Sequence, residues 1–176
     1  DSARQPGADS KAVSLLKEAG AVIMGKTVTT EMAVFGPGKT KNPRNMGHTP
    51  GGSSSGSAAA VASHMVPLAI GTQTNGSVIR PASFCGIVGF KPTHGLIPRT
   101  GALALSRPLD TIGTFARSIE DIALLTEALI AFDPADPDPR ARACPSLRET
   151  VATEPPMRPM VAFAKTPVWD QADPET

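Results

Sequence analysis

Two Gly/Ser-rich segments carry the residue types in this chain that could do chemistry. The first reads GGSSSGSAAA over residues 51–60 and leads into an Ala-rich helix former, and the second reads GTQTNGS over residues 71–77. Loops of this kind at a helix N-terminus expose several backbone N–H groups and hydroxyls at one point. If the intervening helix and strand bring the loops together, two serine hydroxyls meet. This pattern favours acyl-transfer chemistry over other classes.

A serine nucleophile needs a neighbouring base, usually held by a third group. The histidines at 48, 64 and 94 fall in no Ser-His-Asp signature. We therefore interpret His48, His64 and His94 as surface or supporting residues. A lysine whose pKa is lowered by burial is the alternative base, with a hydroxyl relaying the proton between the two groups.

The composition is that of a globular protein, and the net charge gives no indication of a polyanionic partner. Its 176 residues are 40% hydrophobic and 19% charged, enough for one domain with a sizeable core. The net charge of +1 argues against nucleic acid or an acidic membrane surface as the main partner. The sequence contains no apolar run of membrane-spanning length and no signal-peptide pattern. Cys85 and Cys144 lack CxxC spacing, so we expect no zinc site or disulfide framework and a reducing, cytoplasmic location.

Helical and strand patterns alternate along the chain, which predicts an α/β fold. Ser10 and Ser118 are predicted helix N-caps, the second with Asp121 in a relaxed capping box. The predicted helices cover 11–19, 29–33, 57–65, 81–84 and the segment after Ser118, and the predicted strands cover 21–24, 68–70, 87–90, 111–115 and 160–164. Seven prolines between residues 133 and 159 predict an irregular connection. We divide the chain into a core (1–132), this connection (133–159) and a further strand-bearing segment of the same domain (160–176).

Residues 20–27 read GAVIMGKT and satisfy the P-loop pattern GxxxxGK[ST]. A P-loop follows a strand and opens a helix, whereas this segment follows a predicted helix, and its variable positions are apolar. A phosphate cradle would expose Val22, Ile23 and Met24 to a charged ligand. We therefore interpret the segment as a helix–turn–strand unit with Gly20 after the helix end.

Three ordered motifs resemble the amidase signature family of amide hydrolases. They are residues 51–62, residues 71–86 and the GFKPT segment at 89–93, with weaker likeness at 25–27 and 109–113. The family includes fatty acid amide hydrolases, malonamidases and the amidase subunit of the glutamyl-tRNA amidotransferase. The resemblance covers roughly residues 8–131 and implies an α/β fold with a mixed sheet flanked by helices.

The resemblance also implies roles for particular residues. Ser77 would be the nucleophile, and Ser53 would be the serine, after a cis peptide, that shuttles the proton; the two stand 24 positions apart, which is the family's spacing. Ser54 and Thr72 would orient the pair. An oxyanion hole would be formed by the N–H groups of consecutive residues, namely Thr74, Asn75, Gly76 and Ser77.

Two features depart from the family pattern. An Arg two residues after the nucleophile and an acid four before it are replaced by Ile79 and Gln73, with Arg80 one position later, which suggests a repacked polar pair. The family's catalytic lysine belongs to an upstream apolar-Lys-Asp motif that is absent here, and Lys26 occupies a position that is not the family's base. Both chain ends look like cuts through a larger protein, so we expect an internal fragment.

The resemblance implies an amidase that needs no metal or organic cofactor and acts on a small-molecule amide. It binds no nucleic acid directly, and a homodimer is left open. One alternative is a subunit that supplies ammonia to an acceptor together with partner chains. A second alternative is a non-catalytic remnant or scaffold, because the lysine is missing.

The P-loop alternative makes a prediction of its own. A nucleotide-binding site would raise the midpoint of thermal unfolding when ATP is added, because a ligand of the folded state stabilises it. We expect no shift in a thermal-unfolding assay with and without ATP. An ATP-dependent rise would contradict our interpretation of residues 20–27.

Overall fold

The computed structural model describes residues 7–34, 36–138, 143–144 and 146–171. Its regular elements are, in chain order, α1 (Lys11–Glu18), α2 (Ser55–Ala62), β1 (Ala69–Gln73), α3 (Ile79–Cys85), β2 (Val88–Phe90), β3 (Thr111–Ala116), α4 (Ile119–Leu129) and α5 (Leu147–Ala152). Single turns of 3-10 helix lie at Glu31–Ala33 and Trp169–Gln171. None of the helices in the described ranges combines the length and apolarity needed to cross a membrane.

The sheet has three strands in the order β1–β3–β2, and both pairings are antiparallel. Gly71 lies opposite Gly113 in the first pair, and Gly89 lies opposite Phe115 in the second. All six residues of the central strand β3 are buried. Because side chains alternate along a strand, Ile112 and Phe115 point to opposite faces of the sheet.

Helices cover both faces, and this layering confirms the predicted α/β class. On one face Phe115 packs with residues of α2 and α3, namely Ala58, Val61, Ala62, Val78, Ala82 and Cys85. On the other face Ile112 packs with residues of α1, α4 and a loop, namely Ala12, Leu16, Leu125, Leu129 and Ile97. A fully buried polar contact between β3 and α4 joins the Thr114 and Thr126 hydroxyls at 2.9 Å. The hydroxyls satisfy each other there, as buried polar groups must.

The predicted helix starts are confirmed by their caps. The Ser10 Oγ accepts from Val13 N at 3.4 Å, and the Ser118 Oγ accepts from Asp121 N at 3.1 Å. Each bond satisfies one of the N–H groups that a first helical turn leaves free. The local residue types therefore predicted these helix starts correctly.

The strands predicted over 21–24 and 160–164 are wrong, because neither segment pairs with any strand among the described residues. Val22 is 81% exposed and Met160 is 99% exposed. A short apolar run indicates burial, but it does not specify a partner, and without a neighbouring strand its backbone forms no ladder. Residues 172–176, the rest of the last predicted segment, lie outside the described residues.

The Pro-rich segment 133–159 is not irregular throughout. It contains α5, whose N-cap Ser146 accepts from Glu149 N at 3.3 Å. A Ser-x-x-Glu capping box at Ser146 and Glu149 predicts this helix. The many prolines around it led us to predict an irregular segment instead. Residues 139–142 and 145 of the segment lie outside the described part.

The structure agrees with the rejection of a P-loop. Residues 20–27 follow α1, and residues 28–30 after them form no α-helix. The Thr27 Oγ1 bonds to the Ser57 Oγ at 2.7 Å, and Gly56 N donates to Val28 O at 2.8 Å. The GKT end of the pattern thus packs against α2 and opens no helix of its own.

Gly89 provides a test of how tightly β2 packs on α3. A Cβ atom there would lie 2.5 Å from the Ala82 Cβ and 3.1 Å from Val78 O. We expect Gly89→Ala to lower the free energy of unfolding by about 1–3 kcal/mol, the usual cost of overpacking a core. The measurement is urea denaturation, with Gly7→Ala as the control because nothing lies within 4 Å of a Cβ at Gly7. Equal stability of the two variants would contradict this packing.

Candidate active site

The two Gly/Ser loops lie side by side at the end of β1. The Ser54 N–H donates to Ser77 O at 3.3 Å, and the peptide bond between Gly52 and Ser53 is cis. Ser53 and Ser77 are both buried, at 3% and 7% exposed. The structure therefore brings together the loops that carry the two predicted catalytic serines.

The Ser54 side chain joins the first loop to β1. Its Oγ donates to Thr72 O and accepts from Thr72 N, each at 3.3 Å. A Cβ at Gly71 would lie 2.4 Å from this Oγ, so only glycine leaves room for the contact. Ser54 and Thr72, both predicted to orient the serine pair, thus bond to each other. The bonds join the Ser54 hydroxyl to the Thr72 backbone.

The small residues at the start of α2 fit a narrow space. A Cβ at Gly56 would lie 2.5 Å from Val28 N, and the Ser55 Oγ donates to Val28 O at 3.3 Å. On the other side, the Ser57 Oγ donates to Ile70 O of β1 at 2.8 Å. The helix is therefore held between residue 28 and β1, which explains why larger side chains are absent from its first turn.

Gln73 and Arg80, at the positions that depart from the family, both bond to backbone groups. The Gln73 Oε1 accepts from Val78 N at 2.9 Å and from Ile79 N at 3.1 Å, and so caps the start of α3. Arg80 donates through Nε and Nη2 to Gly52 O at 3.1 and 2.9 Å. The hydrogen bonds of the two side chains go to different partners. They act as a helix cap and as a clamp between the loops rather than as one polar pair.

The loop before Ser77 leaves backbone donors free. Gly76 has a φ of +97°, a conformation that glycine adopts without steric cost. The N–H groups of Asn75, Gly76 and Ser77 donate to none of the residues that the structure describes. Consecutive free N–H groups beside a nucleophile are the donors that an oxyanion hole requires.

Asp110 bonds to this loop from the start of β3, and sequence reasoning assigned it no role. Its Oδ1 accepts from the Thr74 Oγ1 at 2.6 Å, and its Oδ2 accepts from Leu105 N and Ser106 N at 2.7 and 2.8 Å. Burial raises the pKa of Asp110. The hydrogen bonds and the charge of Arg99 together lower it by more, so the pKa of Asp110 lies below its usual value. The sequence signal that could have pointed to Asp110 was an acidic residue directly before a predicted buried strand.

Arg99 and two further carboxylates form an ion-pair cluster behind Asp110. Arg99 contacts Asp136 at 3.2 Å and also pairs with Asp138, which in turn accepts from Arg107 Nε at 2.8 Å. Arg99 Nη1 also donates to Asp110 O at 3.1 Å. Burial lowers the pKa of Arg99, but the two carboxylates raise it by more, so the cluster is fully charged. Sequence reasoning missed it because its members come from separate loops.

Other candidate bases and nucleophiles lie in settings that do not suit those roles. Lys26, His48 and His64 are exposed, and His94 is half-buried. His94 Nε2 bonds to Arg107 O at 3.1 Å. Burial raises the pKa of the Cys85 thiol, which disfavours the reactive thiolate. None of the seven lysines in the sequence is buried, as a lysine base would be.

Two cavities border the serine loops. One of about 360 Å³ is lined in part by Gly51, Gly52, Arg80 and Phe84, and one of about 350 Å³ by Thr74, Asp110 and neighbouring residues. Either volume could hold a small organic ligand. Within the described part of the chain, no three His, Cys, Asp or Glu side chains form a group that could hold a metal ion.

Comparison with known proteins identifies the family to which this three-layer fold and its paired serine loops belong. A family model described as Amidase matches residues 2–176. The chain belongs to the amidase family.

Similar proteins include both amidotransferase subunits and hydrolases. The chain is 43% identical over 158 residues to a glutamyl-tRNA(Gln) amidotransferase subunit of Gloeobacter violaceus, in a match that covers 85% of this chain and 32% of that protein. The native peptide amidase of Stenotrophomonas maltophilia superposes with a TM-score of 0.75 at 42% identity, over 80% of this chain and 32% of that one. The 6-aminohexanoate cyclic dimer hydrolase superposes with a TM-score of 0.74 at 37% identity, over 84% and 32%. The chain spans about a third of the length of the curated relatives it matches.

The Gln73 cap can be tested by removing its acceptor. Gln73→Met keeps the approximate shape of the side chain but leaves the Val78 and Ile79 N–H groups without a partner. We expect a loss of about 1–3 kcal/mol in the free energy of unfolding, the usual cost of an unsatisfied buried donor. Chemical denaturation measures the loss. Gln73→Glu is the matched control, because it keeps an acceptor at a helix N-terminus, where negative charge is favourable. Equal losses in both variants would contradict a capping role.

Proposed function

We propose that this chain carries the nucleophile and the proton-shuttling serine of an amide C–N hydrolase. The observation that supports this best is the Ser54 N–Ser77 O hydrogen bond of 3.3 Å, which holds the two serine loops together. In a member of the amidase family, that arrangement fits Ser77 as the nucleophile and Ser53 as its partner.

In the acylation step, the Ser77 Oγ attacks the carbonyl carbon of the amide and gives up its proton to Ser53. Ser53 passes a proton to a lysine which, by family resemblance, is none of the seven lysines in this sequence. Negative charge develops on the carbonyl oxygen, where the backbone N–H groups of residues 74–77 stabilise it. The C–N bond then breaks, the proton returns to the nitrogen, and ammonia or an amine leaves.

In the second step, water attacks the ester formed on Ser77. The same relay removes a proton from the water and returns one to the Ser77 Oγ as the ester bond breaks. The products are a carboxylic acid and the free enzyme. Every proton goes through hydroxyl and amine groups, so this scheme uses no cofactor.

A second candidate function is ammonia supply to an acceptor. It is favoured by the 43% identity to a glutamyl-tRNA(Gln) amidotransferase subunit. Such a protein would release ammonia from an amide and require partner chains, whereas a stand-alone amidase would turn over as a monomer or homodimer. Hydrolysis of small amides by the purified protein alone would favour the amidase, and strict dependence on partner subunits would favour the second function.

We also place the protein in the cytoplasm. Both cysteines are free thiols, and Cys85 is buried without a disulfide partner. Free thiols of this kind suit a reducing compartment.

A fluorophosphonate probe tests the assignment of the nucleophile. In the full-length protein we expect the probe to label Ser77, and Ser77→Ala to abolish labelling and amide hydrolysis. Ser53→Ala should slow both by about 10²–10⁴-fold, the usual contribution of positioned proton transfer. Mass spectrometry locates the label, and an ammonia-release assay measures turnover.

Ser63→Ala is the matched control, because Ser63 is exposed and, among the described residues, its hydroxyl bonds only to the end of α2, to Ala59 O at 2.8 Å and to Ala60 O at 3.3 Å. It should label and turn over like the unaltered protein. Label on another residue would overturn the assignment of Ser77. An unlabelled protein would favour a non-catalytic scaffold.

A further inference from the structure

The Asp110 carboxylate lies where the second serine loop meets the start of β3. It is 8% exposed, and its Oδ1 accepts a 2.6 Å hydrogen bond from the Thr74 Oγ1. Thr74 is the first residue after β1 and stands three positions before Ser77. Hydrogen bonds to an ionised acceptor are about twice as strong as neutral ones, so this bond is a firm attachment for the loop.

Asp110 is itself held from two sides. Its Oδ2 accepts from Leu105 N and Ser106 N, at 2.7 and 2.8 Å. Its carbonyl oxygen accepts from Arg99 Nη1 at 3.1 Å, and Arg99 is fixed in turn by its ion pair with the buried Asp136. The carboxylate therefore cannot follow a movement of the serine loop without breaking several charged contacts.

The loop is attached at its far end, where Gly76 O accepts from Arg80 N at 2.9 Å and Ser77 O accepts from Ser54 N at 3.3 Å, and the Thr74 hydroxyl attaches its near end. The Asn75, Gly76 and Ser77 N–H groups donate to none of the described residues, so no bond from these groups fixes their direction. Gly76, with its φ of +97°, adds a residue with wide conformational freedom. The Thr74 hydroxyl bond stands directly before this segment.

We infer that Asp110 is a positioning residue that sets the direction of the oxyanion-hole N–H groups through the Thr74 hydroxyl. The expected effect on rate rests on the proposed function, whereas the effect of Asp110 on the direction of the N–H groups does not. Oxyanion-hole donors act only when they are already aimed at the developing charge, and a small misplacement costs rate rather than substrate affinity. Loss of the Thr74–Asp110 bond should therefore lower kcat and leave KM nearly unchanged.

Thr74→Val is the sharpest test. Valine keeps the shape and the backbone N–H of Thr74 but removes the hydroxyl, and Asp110 keeps its bonds to residues 105 and 106. We expect kcat, and the rate of fluorophosphonate labelling at Ser77, to fall about 10–100-fold. Thr74→Ser retains the hydroxyl and should restore most of the rate. Equal losses of rate in the serine and valine variants would overturn the inference.

Asp110→Asn provides the second arm, since it keeps the size of the side chain and removes its charge. Because Asp110 acts through Thr74, the double variant with Thr74→Val should lose little more than the worse single variant. Additive losses would mean that the two residues act independently and would contradict the inference.

Backbone NMR order parameters separate this inference from the proposed function, because they need no activity. In Thr74→Val, the order parameters of the N–H groups at 75–77 should fall, while those in α4 stay as in the unaltered protein. Unchanged order parameters at 75–77 overturn the positioning role, whatever the activity. If they fall but the unaltered protein never labels at Ser77, the proposed function fails and the positioning of the loop stands.

Discussion

The Ser54 hydroxyl, bonded to both backbone groups of Thr72, is the contact on which the arrangement of the serine loops depends. It exists only because Gly71 has no side chain, since a Cβ there would lie 2.4 Å from the Ser54 Oγ. With Ser54 fixed on β1, its own N–H reaches Ser77 O at 3.3 Å. Close approach of backbones thus brings the serines together, and Arg80 strengthens the junction by binding Gly52 O.

That contact requires a rigid support, which the sheet and its two helical layers provide. β3 is buried along its whole length and pairs with β1, the strand that carries Thr72. Because β3 begins directly after Asp110, the pairing with β1 also puts this carboxylate beside Thr74. The charged cluster around Arg99 holds the other side of the junction. The site therefore has a small-residue contact on one side and a buried ion-pair network on the other.

Local signals predicted the helices well and the strands less reliably. Ser10 and Ser118 marked helix starts because a capping hydroxyl bonds to N–H groups three residues away. A strand needs a partner from another part of the chain, and the apolar runs at 21–24 and 160–164 find none within the part that the structure describes. The same limit applies at the site. Gln73 and Arg80 departed visibly from the family pattern, but only the structure gives their backbone partners.

The sequence by itself determined the resemblance to the family and the positions of the two serine loops, because those features depend on residue types within short segments. Tertiary structure alone decided which groups hold the loops in place. Ser54 with Thr72, and Asp110 with Thr74, are separated by 18 and 36 positions in the chain. Whether such groups meet depends on strand pairing and helix packing, in which many weak contacts across the whole core act together.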